Sequence, residues 1–103
     1  MTNEQINLAI ARVLGWHSIH TSTTGIKGMK GPLRGFMPLP NYCTDLNAMH
    51  EAEMIFTPES KHWMYYALLD EMCGSSFKAI RATARQRAEA FLRVLGKWEE
   101  VQP

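Results

Sequence analysis

Apolar residues recur at helical spacing in four stretches of the chain, and one long stretch between the first two breaks the pattern. In the first, Ile6, Ile10, Val13 and Leu14 share a face at about 100° per residue, with Leu8 and Ala9 close by. Thr2-Asn3-Glu4-Gln5 ahead of it has the capping-box form, a hydroxyl residue followed three positions later by Gln, and Gly15 is a natural stop. A second helix is expected from Thr44 or Asp45 to about Phe56, with Leu46, Ala48, Met49, Ala52, Ile55 and Phe56 on its apolar arc. A third is expected to open at Thr57-Pro58-Glu59, with Thr57 as cap and Pro58 at the first helical position, and to run to about Met72. Along it come Trp63, Met64, Ala67, Leu68 and Met72. Gly74-Ser75-Ser76 ends that helix, and Phe77 to Ile80 reads as a short strand. Thr83-Ala84-Arg85-Gln86 is a second capping box, leading a helix with Ala84, Ala88, Phe91, Leu92 and Leu95 on one arc. Gly96 closes it, and Trp98 is placed to fold back on the core.

Residues 16 to about 43 differ in kind. Gly25, Gly28, Gly31 and Gly35, with Pro32, Pro38 and Pro40, are turn formers. A bare loop of this length is unusual in a compact domain, so short strands are expected around 17–21 and 34–37. The whole reads as one helix-rich α+β domain over 1–103, about four main helices around a small sheet, with a Gly/Lys-rich insert at about 18–38.

Composition narrows the class. The 103 residues are 46% hydrophobic and 20% charged, which is globular. The net charge of +1 gives no global pull toward nucleic acid or an acidic membrane. It hides an asymmetry: residues 1–44 hold four basic residues and one acidic, residues 45–103 seven and nine. No apolar run approaches the ~18 residues of a membrane span. The first residues lack the pattern of a secretion signal. A chain this short keeps a thin stability margin, so a homo-oligomer interface would help. Cys43 and Cys73 form no C-x-x-C pair and read as thiols of a cytoplasmic protein.

Polar residues in unexpected places supply the candidate chemistry. Asp45 and Glu53 fall inside the apolar arc of the second helix, while Asn47, His50 and Glu51 lie opposite. Asp45 can cap the helix; Glu53 needs a partner, a core arginine such as Arg81 or Arg85, or else lines a pocket. Arg85, Glu89 and Arg93 form an i, i+4 row that reads as a salt-bridged face. Arg81 and Arg85, near a helix start, are also candidates to hold an anion. Lys27, Lys30 and Arg34 in the Gly-rich insert are candidates for the same work, though the run has no Walker-type lysine and its plain reading is turns or a hairpin. Trp16, Tyr42 and Trp63 are candidates to stack a planar ligand. His50-Glu51 lacks the second His of a zinc-protease helix, and His17 with His20 makes a thin metal set. No cofactor and no metal is expected.

Two strings are familiar as wholes: Leu39-Pro40-Asn41-Tyr42-Cys43-Thr44-Asp45-Leu46-Asn47-Ala48-Met49-His50-Glu51-Ala52-Glu53, and Ala82 to Trp98 with its Thr83-Ala84-Arg85-Gln86-Arg87-Ala88-Glu89 core. Together with Leu14-Gly15-Trp16 they resemble the phage ABA sandwich domain family of small bacteriophage and prophage proteins. The resemblance implies a layered helix–sheet–helix fold and supplies no catalytic residue. It turns the expectation toward a non-enzymatic phage protein acting against defence in the host cytoplasm. The concrete form is a sponge for a nucleotide-derived immune signal, held by some of Trp16, Lys27, Lys30, Arg34, Tyr42, Asp45, Asn47, His50, Glu53, Trp63, Arg81 and Arg85. The alternatives are an inhibitor that binds a host defence protein, and a small nucleotide hydrolase built on His50, Glu51, Asp45 or Glu53.

Overall fold

The computed structural model describes residues 1–23, 25–30, 35–56 and 61–99. Helix α1 spans Asn3–Val13 and is followed by an antiparallel hairpin, β1 Trp16–Ser22 and β2 Gly25–Lys30. A two-residue strand, β3 Met37–Pro38, pairs on β2, giving sheet order β1-β2-β3. Helices α2 (Leu46–Glu53), α3 (His62–Cys73), α4 (Ser76–Ala79) and α5 (Ala84–Val94) complete the chain. The result is the expected helix-rich α+β fold, with four longer helices and a small sheet.

Local chemistry explains most of the boundaries. Thr2 and Thr83 both close full capping boxes, with Gln5 and Gln86 as the reciprocal partners. The Asp45 carboxylate accepts from the backbone N–H groups of Asn47 and Ala48 and so starts α2. Helix α2 is shorter than its sequence pattern suggests: after Glu53 the chain turns, and the Phe56 N–H returns to the Glu53 carbonyl, which tucks that ring inward. The expected cap Thr57 and Pro58 lie outside the described residues, and α3 as described begins at His62. It ends at Gly74, whose left-handed φ of 92° caps the helix without a Cβ clash. Residues 77–80 do not form the expected strand. The Ser75 hydroxyl accepts from the Lys78 N–H and closes a helical turn, so Ser76–Ala79 is the short helix α4. Of the strand expected at 34–37, Arg34 lies outside the described residues and Met37 belongs to β3.

Helix α5 is the hub. It packs against α1, α2 and α3, and its alanines 84, 88 and 90 are all buried, which allows close approach. The core joins Ile6 and Ile10 of α1, Met49 and Ala52 of α2, Tyr65 and Leu69 of α3, and Phe91 and Leu92 of α5. Phe56 stacks on Tyr65 at 4.9 Å and meets Phe91 at 5.2 Å. The sheet leans on this body through β1 and α1. Trp98 does return to the core, with the guanidinium groups of Arg85 and Arg93 over its ring at 5.3 and 5.0 Å.

Candidate functional site

The hairpin register places Trp16, the first residue of β1, opposite Lys30, the last of β2. Gly28 makes the packing at this end possible. A Cβ there would lie 3.0 Å from Ile19 Cγ1 and 3.3 Å from both Trp16 Cε3 and the His17 carbonyl. The glycine thus lets the indole lie across β2. Pro40 and Tyr42 bring the chain back past this end before α2 starts. Helix α2 adds Ala48, Glu51 and Ile55, at spacings of three and four that keep them on one side. With Leu14 these residues enclose a cleft of about 270 Å³.

Its aromatic walls are firm. Trp16 is 7% exposed and Tyr42 3%, so the rings are not the open stacking platform the sequence suggests. The Trp16 indole N–H is buried beside the Tyr42 hydroxyl and has no hydrogen-bond partner among the described residues. Burial pushes the Tyr42 phenol up to about 12; the indole opposes the shift and the Glu51 carboxylate adds to it. Tyr42 is therefore a neutral donor near pH 7 and no nucleophile. Lys30 is half-buried and forms no ion pair among the described residues. The cleft offers one ammonium, one carboxylate, a phenol and apolar walls, which suits a small ring system carrying an anionic substituent.

Glu53 has the core arginine its position demands, but the arginine is Arg87 and not Arg81 or Arg85. One Arg87 terminal nitrogen donates to both Glu53 oxygens at 3.1 Å, and the other reaches the Ala79 carbonyl at 3.5 Å. The Tyr66 hydroxyl donates to Glu53 Oε2 at 3.2 Å, and His50 Nδ1 stands 3.8 Å from Oε1. Burial disfavours the Arg87 charge, but the Glu53 carboxylate outweighs it and holds the guanidinium protonated. Burial, with Glu53 beside them, raises the Tyr65 and Tyr66 phenols as well. This cluster ties α2, α3, α4 and α5 together. The wheel of α5 held the missed signal: Arg87 falls about 40° from Phe91, at the edge of the buried arc.

The other candidates disperse. Lys27 pairs with His20 and Pro38 within the sheet and does not line the cleft; Arg34 lies outside the described residues. Asp45 is occupied as a cap, Asn47 is exposed in the first turn of α2, and His50 flanks Glu53. Trp63 stands on α3, exposed, away from the lining of the cleft. Arg81 is exposed after α4. Arg85 does not hold an open anion site: it donates to Asn3 Oδ1 at 3.1 Å, pairs with Glu89 and covers Trp98. Arg93 pairs with Glu89 from the other side, so the 85/89/93 row is the salt-bridged face its spacing suggests. Both cysteines are free thiols, and burial pushes the Cys43 thiol up. Among the described residues no group of three His, Cys, Asp or Glu side chains could hold a metal ion, and no helix is long and apolar enough to cross a membrane. No protein-family model matches the chain, and no curated protein or solved structure matches it at a significant level.

Proposed function

We propose that the protein is a non-enzymatic binder of a small nucleotide-like anion, held at the cleft between the base of the hairpin and α2. The observation that carries this reading is the meeting of Trp16, Lys30 and Tyr42, from three separate parts of the chain, around one cavity whose lysine forms no ion pair among the described residues. Lys30 is the phosphate contact, Glu51 accepts from base N–H groups, and the Tyr42 hydroxyl donates. At about 270 Å³ the cleft lies just under the ~300–1,000 Å³ of typical ligand pockets, so it takes a base or one nucleotide unit, and a second copy of the chain would cover the rest. The biological setting, a bacteriophage protein acting in the host cytoplasm to sequester a nucleotide-derived defence signal, rests on the resemblance of residues 39–53 and 82–98 to the phage ABA sandwich family.

The test is a thermal-shift and calorimetric panel of cyclic dinucleotides and ADP-ribose derivatives. A ligand at 100 times its dissociation constant adds ~2.7 kcal/mol, roughly 10–20 °C for a domain of this size. The shift is expected to vanish in Lys30→Gln and to survive in Lys27→Gln. A flat panel with no heat of binding overturns the reading.

A second reading, direct inhibition of a host defence protein, is favoured by one observation: Met54, Trp63 and Ile80 are 78%, 67% and 75% exposed. Large apolar side chains left this open suit a protein partner. Of the hydrolase candidates, Asp45 is occupied as a cap, Glu53 is held by Arg87 and Tyr66 with His50 beside it, and Glu51 alone lines the cleft among the described residues, which gives that reading little support.

A further inference from the structure

Helix α1 shows apolar surface beyond its fully buried face. Ile6 and Ile10 are fully buried; Ala9 and Val13 pack against the core but stay half-exposed, and Leu8 is half-buried beside them on the adjoining side. That side faces a groove of about 500 Å³, larger than the Trp16 cleft and sharing no lining residue with it. Its other wall is the segment 97–99, which contributes Lys97 and Glu99. The segment is held in place from both ends: the Lys97 N–H donates to the Leu92 carbonyl at 2.8 Å, and the Glu99 N–H meets Met1 Sδ at 3.3 Å. The helical positions that line the groove run from 5 to 13, a length of about 12 Å at ~1.5 Å per residue.

Two side-chain cations stand on this groove, and the Met1 ammonium lies beside the Glu99 carbonyl at 3.5 Å. Arg12 and Lys97 are exposed, and neither forms an ion pair among the described residues. Among the described residues the lining includes no aromatic ring to recognise a planar base. An apolar floor one helix-face long, with two unpaired cations and no ring, is complementary to an aliphatic chain that ends in an anionic head.

We infer that the groove between α1 and residues 97–99 binds a monomeric amphipathic anion, its chain along Leu8, Ala9 and Val13 and its head between Arg12 and Lys97. Glu99, on the same wall, repels the head and limits the affinity.

Sodium decanoate below its micelle concentration is the probe, titrated by calorimetry and by backbone amide shifts, with decanol and acetate as the chain and the head alone. Saturable decanoate binding is expected, with shifts concentrated at residues 8–13 and 97–99, no binding of acetate, and decanol weaker by about tenfold or more. Arg12→Gln with Lys97→Gln weakens decanoate by about tenfold or more, toward the decanol level, while Glu99→Gln tightens it. All three side chains are exposed, so an unchanged melting temperature separates the effect from unfolding. No saturable binding, equal affinity for decanol, or shifts centred outside the groove overturns the inference. So does sedimentation with phosphatidylglycerol vesicles by a protein that ignores free decanoate, because the surface would then read a membrane.

Discussion

Removing one partner of the Glu53–Arg87 pair leaves the other charge buried and unpaired. Glu53→Ala or Arg87→Met should therefore cost about 3–5 kcal/mol in urea unfolding, whereas replacing both together with apolar residues should recover most of the loss. Tyr42 contributes a pH dependence of known sign. Its phenol keeps its proton up to about 12 in the folded chain but loses it from about 10 in the unfolded one. Between those values the unfolded state binds fewer protons, so stability falls as pH rises. The contribution is fully present below about pH 10 and amounts to ~2–3 kcal/mol. Urea midpoints measured from pH 9 to 12 should fall more steeply for the wild type than for Tyr42→Phe. Both sites were half legible. A carboxylate inside the apolar arc of α2 announces that Glu53 needs a partner, and the cap role of Asp45 follows from its place at the helix start. The choice of Arg87 was hidden because its α5 position borders the buried arc, where a long side chain can turn either way. The meeting of Trp16 with Tyr42 depends on hairpin register and on the path of the chain through Pro40, neither of which any local pattern encodes.

At the scale of elements, the four longer helices and the first strand announced themselves, whereas the second strand and the short helix α4 did not. Two capping boxes and a helix-start aspartate are local devices, satisfied by residues three apart, so the sequence states them outright. Thr83→Ala should cost about 1 kcal/mol by removing the cap of the central helix, read as a lowered urea midpoint with unchanged slope. Strand β2 was masked by its own glycines. Gly25 has a φ of 120° where the hairpin turns, and Gly28 is buried under the Trp16 ring; each reads as a strand breaker until the partner strand is in view. A bulge between His17 and His20, with Ser18 at a φ of 53°, interrupts the alternation within β1. Gly28→Ala must first displace the Ile19 side chain, and it crowds the indole and the His17 carbonyl as well. It should cost about 1–2 kcal/mol after the gain in strand propensity is subtracted. Because the indole lines the cleft, it should also shift tryptophan emission and weaken any ligand held there. A variant as stable as the wild type with unchanged emission would show that the Ile19 side chain yields and the indole stays in place.

The whole molecule leaves 6623 Å² exposed, against about 5,900 Å² for a monomer of its mass. Part of the excess is apolar: Met54 follows α2, Trp63 stands on α3 and Ile80 follows α4. The three are linked through the buried cluster. Met54 adjoins Glu53, Tyr66 one turn beyond Trp63 donates to Glu53, and Ile80 follows Ala79, whose carbonyl accepts from Arg87. Side chains so open contribute little to folding, so stability and binding can be separated here. Met54→Gln, Trp63→Gln and Ile80→Lys should each change the unfolding free energy by no more than about 0.5 kcal/mol. Phe91→Ala, in the fully buried centre, should cost about 3–5 kcal/mol. If the apolar surface serves a protein partner, the triple surface variant keeps its melting temperature, keeps its response to nucleotides at the Trp16 cleft, and loses the partner. If the same variant unfolds early, these side chains belong to the fold after all, and the second functional reading loses the observation on which it stands.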